Sequence, residues 1–186
     1  MRFDTDFVRY WSNRYVNEEL GDSALEYELL GTVHNAITAR GYLTSDELEK
    51  IVRWKSTRTL GVLEGDQVTI SDVTRIAFGE KTPDWMRHHI LCILSGVRHP
   101  VASAILTVRY PETHTVIDDR AVAAVQKLRR LGLLNIDPPS DTNHYWTYLE
   151  DVFRPIAASL GVRHRDLDRA LWKWHKEGMP ETWSAS

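Results

Sequence analysis

Leu94-Ser95-Gly96-Val97-Arg98-His99-Pro100-Val101-Ala102-Ser103-Ala104-Ile105-Leu106 is the stretch on which the fold turns. Its spacing predicts a helix over Trp85 to Leu94, a short break, and a second helix opened by Pro100 and carried by Ala102 to Val108. Gly96 sits at the joint, where a positive φ is needed and a Cβ is unwelcome. Ala102, Ser103 and Ala104 are small enough to admit a neighbouring helix closely. The open N–H groups at the start of the second helix, with Arg98 and His99 beside them, form a place for one phosphate. Trp85 to Tyr110 carries Arg87, Arg98 and Arg109 with His88, His89 and His99, and no acidic residue. On the residues alone, an ordinary αα-hairpin with a glycine turn is the plainer reading.

Outward from this hairpin the chain reads as further helices. Upstream, Thr82-Pro83 opens the hairpin's first helix, and Ser71-Asp72 opens one through Val73, Ile76 and Ala77. Thr44-Ser45-Asp46-Glu47 and Ser23-Ala24-Leu25-Glu26 are capping boxes, the latter heading a helix that Gly41 stops. Downstream, an extended stretch from Thr113 to Ile117 leads to a helix starting at Asp118 or Asp119 and ending at Gly132. Asp137-Pro138-Pro139-Ser140-Asp141-Thr142 is the clearest linker. Beyond it, Tyr145 to Leu160 reads as a helix interrupted at Pro155, and Arg165 to Glu177 as a last helix stopped by Gly178. Phe7, Trp11 and Tyr15 share one helical face and are expected to dock on the core. Val68-Thr69-Ile70 and Thr115-Val116-Ile117 have strand character but are too short to build a sheet. The expected class is all-α.

Composition narrows the function. The 186 residues carry 23 Lys and Arg against 26 Asp and Glu, a net charge of -3, which argues against a protein that coats nucleic acid. That total hides an asymmetry. Met1 to Leu30 has three Arg against seven acids, a local -4, while Trp85 to Tyr110 has three Arg and no acid, a local +3. A single Cys excludes a disulfide framework, a thiolate zinc site and a four-Cys iron–sulfur cluster, and fits a reducing cytosol. No apolar run approaches a membrane span, and MRFDTDFVRY is too acidic and polar for a signal peptide, so no membrane partner is expected. No His-Glu-x-x-His or comparable spacing marks a metal site, and none is expected. His164-Arg165-Asp166-Leu167 mimics a kinase catalytic loop but lacks the following Asn and any Gly-rich loop.

The pattern Leu94-x-Gly96-Val97-x-x-x-x-Ala102, followed by a stretch containing Pro111 and then Val116-Ile117-Asp118, resembles the helix-hairpin-helix DNA glycosylase superfamily. The likeness spans Trp85 to Leu131, and the 18 residues from Pro100 to Asp118 match the family's separation of hairpin and catalytic Asp. The resemblance implies one two-lobed helical domain over 1–186. In it, 83–132 would hold the hairpin and the Asp-bearing helix, 1–82 and 140–186 would supply flanking helices, and the base pocket would lie between the lobes. It implies Asp118 as the catalytic carboxylate, with Asp119 its near competitor, and Gly96, Val97, Arg98, His99 and Pro100 as the phosphate-binding turn. It also implies a monovalent cation on the hairpin carbonyls. Ser95 and Arg98 stand where the family usually has Pro and Gly. Pro100 stands where bifunctional members have their Schiff-base Lys, which excludes lyase activity through that residue.

Breaking an N-glycosidic bond builds positive charge on the sugar, which a carboxylate beside C1′ stabilises while it orients or deprotonates water. On residue type and position alone, Asp118 reads first as an N-cap. The base must also leave the duplex and stack in a pocket. Trp54, Trp85, Trp146, Trp172 and Trp174 are candidate stackers, with Trp54, Lys55 and Arg87 the residues expected nearest base or phosphate. The expectation is a monofunctional DNA glycosylase without a required cofactor. It would act as a monomer on double-stranded DNA, in the cytoplasm and on the nucleoid when acting. The alternatives are a non-catalytic DNA-binding or interaction module of the same fold, and a helical scaffold.

Overall fold

A computed structural model describes residues 1–55 and 67–183, with the backbone alone at 20–23. The protein is all-α, and no strand occurs among the described residues. It divides into two compact units, one of Met1–Leu20 with Thr115–Ser186 and one of Gly21–His114.

The Gly21–His114 unit is built around its most apolar helix. Helix α2 (Leu20–Glu28) passes through a π-helical turn at Leu29–Val33 into α3 (His34–Arg40). Gly41, at φ 82°, ends that run by returning its N–H to the Ile37 carbonyl at 2.7 Å. Because α2 starts at Leu20, Ser23 lies inside it and is not its cap; the Ser23 side chain is outside the described residues. The second box forms as expected. In α4 (Ser45–Lys55) the Thr44 N–H donates to Glu47 Oε2 at 2.8 Å, and the Glu47 N–H donates to Thr44 Oγ1 at 3.3 Å.

Helix α5 runs over Gln67–Phe78, four residues ahead of the expected Ser71 start. Tertiary bonds override the β-branched run there. Gln67 accepts from the Ser45 N–H at 2.7 Å, and the Leu43 N–H donates to Thr74 Oγ1 at 3.0 Å. Helix α6 spans Asp84–Leu91 and closes one turn earlier than its apolar pattern predicts. Thr82, the expected cap, instead donates to the Ile76 carbonyl at 2.6 Å. Helix α7 (His99–Arg109) is buried from Val101 to Val108, the signature of a helix surrounded by others. The small residues Ala102, Ser103 and Ala104 are what let α3, α4 and α6 pack against it.

The other unit joins both chain ends. Helix α1 (Thr5–Glu18) lays Phe7, Trp11 and Tyr15 against α11 (His164–Lys176), whose Trp174 meets the Phe7 ring at 5.4 Å. Helix α8 (Asp119–Arg130) packs Ala121, Val122, Ala124, Val125 and Leu128 inward and lies on α11. Helix α8 groups with the chain ends, and the Gly96 hairpin lies in the Gly21–His114 unit. The segment Tyr145 to Leu160 stays helical, as α9 (Tyr145–Thr147), a π-helical turn at Tyr148–Phe153, and α10 (Arg154–Leu160). Pro155 has no N–H for the preceding turn and its ring crowds the carbonyl there. The widened turn relieves that conflict where an interruption was expected.

Candidate functional site

In the hairpin, three consecutive tight turns follow α6. The N–H groups of Ile93, Leu94 and Val97 donate to the carbonyls of Ile90, Leu91 and Leu94 at 3.1, 3.1 and 3.0 Å. Gly96 then takes φ 76°, and Arg98 is the extended N-cap of α7, its carbonyl accepting from the Ala102 N–H at 2.8 Å. Leu94 and Val97 are buried, so Val97 could serve a ligand only through its backbone. Arg98 is exposed, while His99 and Pro100 are half-buried. The ring of buried His88 lies 3.8 Å from that of His89 and 5.5 Å from that of His99. Burial first, then the His89 and His99 charges, push the His88 imidazole down to about 4. Burial likewise pushes the Cys92 thiol up to about 11.

The other two cations of this segment are engaged within their own unit, Arg87 buried and Arg109 half-buried. Arg87, expected near base or phosphate, is buried and donates to the Ala77 carbonyl at 2.6 Å, the Gly79 carbonyl at 3.2 Å and Asp84 Oδ1 at 2.9 Å. It holds the end of α5 and is spent on the fold. Arg109 donates to Thr38 Oγ1 at 3.1 Å and stacks on Tyr110 at 4.6 Å. Trp54 and Lys55 lie in the last turn of α4, both half-buried. Of the other tryptophans, Trp174 is core, Trp85 is half exposed, and Trp146 carries Arg154 at 5.6 Å over its ring.

Asp118 is reached through a buried extended approach. The side chains of Thr115, Val116 and Ile117 are anchored in the core, which leaves Asp118, at φ -153° and ψ 173°, as the N-cap of α8. Its Oδ1 accepts from the Ala121 N–H at 2.8 Å. Asp118 is half-exposed, whereas Asp119 is exposed on the first turn. The capping reading is therefore correct as far as it goes.

The same unit brings further groups to Asp118 that the sequence reading did not assemble. Tyr148 is fully buried and its hydroxyl has no hydrogen-bond partner among the described residues. Burial holds that phenol well above its usual range, and the carboxylates of Asp168 and Asp118 add to the effect. Two carboxylates thus lie within electrostatic reach of one buried hydroxyl. Asp168 is buried and ion-paired with Arg165, whose other nitrogen donates to the Tyr15 hydroxyl at 3.4 Å. The sequence signal for Asp168 was an acid inside the buried stripe of α11, beside Leu167, Leu171 and Trp174. Nothing local distinguished Tyr148 from other core aromatics.

Chemically, the unit offers a half-exposed carboxylate whose field reaches a buried phenol, and a second carboxylate, held by an arginine, that acts on the same phenol. Such a set can orient water and stabilise positive charge. Among the described residues no group of three His, Cys, Asp or Glu could hold a metal ion, and no helix is long and apolar enough to cross a membrane. Comparison of the chain with protein-family models, curated proteins and solved structures finds no match.

Proposed function

We propose that this chain is a monofunctional DNA glycosylase that hydrolyses the N-glycosidic bond of a damaged or modified base. The observation that carries the reading is Asp118: a half-exposed carboxylate at the mouth of α8, within electrostatic reach of Tyr148, 18 residues beyond a hairpin whose Gly96 has the positive φ such a turn requires. In the reaction the C1′–N bond breaks, the electron pair leaves with the base, and water adds to C1′. Asp118 stabilises the oxocarbenium-like sugar and takes the water's proton. Gly96, Val97, Arg98, His99 and Pro100 hold a phosphate of double-stranded DNA, with a monovalent cation on the hairpin carbonyls. No cofactor is required, and Pro100 provides no amine for a lyase step. The protein works as a monomer in the cytoplasm, on the nucleoid when acting.

A second reading, a DNA-binding module without catalysis, is favoured by one observation. With Arg87 and Arg109 engaged internally, Arg98 is the exposed arginine of the hairpin, and its Cβ stands where a glycine is usual in the family. Asp118→Asn separates the two. An Asn still caps a helix well, so the variant keeps its fold and its binding to abasic-site DNA. On the catalytic reading it loses base release by a factor of about 100 or more. A wild type that binds duplex DNA but releases no base from a broad panel of lesions and hypermodified bases sinks the catalytic reading and leaves the second.

A further inference from the structure

Arg120 stands in the first turn of α8, two residues beyond Asp118, with its guanidinium 4.9 Å from the Trp172 ring centre. Three features set it apart. A cation in the first turn of a helix opposes the helix dipole, so the placement gains nothing from local structure. Among the described residues no carboxylate lies within ion-pair distance of Arg120, although Arg14, Arg129, Arg154, Arg163, Arg165 and Arg169 of the same unit each have one. Its platform is fixed: Trp172 is half-buried and meets the Tyr15 ring at 5.4 Å, edge to face.

Asp118 and Asp119 are the acids of the same turn, neither within ion-pair distance of Arg120. Lys176 lies 5.1 Å from the same Trp172 ring, but its ammonium is held by Glu19 at 2.7 Å. Burial first, and then Arg120, push the His175 imidazole down, with Asp118 opposing. A stacked guanidinium with its N–H edges unclaimed by carboxylates matches a phosphodiester oxygen in charge and donor geometry. It also offsets the repulsion that Asp118 would exert on that phosphate.

We propose that Arg120, held on Trp172 beside Asp118, binds a backbone phosphate of the nucleic-acid strand on which Asp118 acts. The assignment rests on the DNA reading given above. It makes the Arg120–Trp172 pair a positioning device that brings the sugar to the carboxylate, separate from the grip at the Gly96 hairpin.

The test is binding of a duplex carrying a tetrahydrofuran abasic analogue, followed by fluorescence anisotropy over a KCl series. Each phosphate contact contributes about 0.9 to the slope of log K against log salt. Arg120→Ala is expected to lower the slope by about one, Arg120→Lys to keep it, and Arg154→Ala, whose arginine already pairs with Glu150 over Trp146, to leave it unchanged. Arg120→Gln gives the same readout should the Ala variant unfold. A wild-type slope in both Arg120→Ala and Arg120→Gln overturns the assignment while leaving the DNA reading intact. No binding by the wild type at low salt overturns both.

Discussion

Arg87 donates to the Tyr110 hydroxyl at 3.0 Å while its guanidinium carbon stands 5.0 Å over the same ring, and that hydroxyl donates on to the Phe78 carbonyl at 3.1 Å. One side chain of α6 is thereby tied to the end of α5 and to the residue that closes α7. Removing it takes a buried donor from the Ala77 carbonyl and a second donor from the Gly79 carbonyl, which keeps the Thr82 N–H at 3.1 Å. Arg87→Ala is expected to cost about 3 kcal/mol in urea unfolding, and Arg87→Lys about half of that because an ammonium cannot fork between the same acceptors. Neither variant, measured below its unfolding midpoint, should change the salt dependence of DNA binding. A lowered slope would return Arg87 to the phosphate-contact role that its sequence position suggested.

That pair also shows where the sequence stopped being legible. The helices were readable because caps and stops are local: Thr44 with Glu47, Gly41, Asp118, Gly132 and Gly178 each act within one turn. The early start of α5 was not, because it depends on Gln67 and Thr74 meeting residues more than twenty positions away. Charge was the least legible property. The basic segment around the hairpin looked like a surface for phosphate, yet two of its three arginines are directed at carbonyls, hydroxyls and rings. Asp118 was singled out by spacing, whereas Asp168 and Tyr148 share its surroundings only through tertiary packing, and the same packing of α8 on α11 puts Trp172 under Arg120.

Tyr148 allows stability and chemistry to be separated. Its hydroxyl has no hydrogen-bond partner among the described residues, so Tyr148→Phe removes a buried polar atom without breaking a bond. The variant should be as stable as the wild type or about 1 kcal/mol more so. If the phenol supports Asp118 during water attack, base release falls by roughly ten- to a hundredfold with unchanged affinity for abasic DNA. An unchanged single-turnover rate would make Tyr148 a packing residue and nothing more.

Lys173 is the ionic centre of the contact between α1 and α11. Its ammonium is buried among Glu18 at 2.6 Å, Glu177 at 2.8 Å and Glu19 at 3.1 Å. Arg14 and then Lys173 hold the Glu18 carboxyl down to about 2. Lys173→Met leaves these carboxylates facing one another, and a loss of about 2 kcal/mol at pH 7 is expected, below the range for fully buried pairs because the three acids are partly solvated. Glu18 contributes its stability above the unfolded carboxyl range near 4.5 and loses it as pH falls toward 2. The difference between wild type and Lys173→Met should therefore shrink on acidification, which unfolding monitored by tryptophan fluorescence would follow.

His88 acts in a different pH window. In the folded protein its imidazole stays neutral down to about pH 4, whereas in the unfolded chain it takes a proton near 6.5. Above pH 6.5 neither state binds the proton and His88 has no effect on stability. As pH falls from 6.5 toward 4 the unfolded state alone gains it, so the fold loses stability, by about 3 kcal/mol at the lower end. His175, also depressed, adds a contribution of the same sign. Replacing His88 with Leu removes the titrating group from the buried side of α6 and should flatten the stability profile between pH 6.5 and 5, above the window in which Glu18 responds. If the wild-type and His88→Leu profiles run parallel there, His88 takes its proton at the same pH in the folded and the unfolded protein, and burial does not hold it neutral.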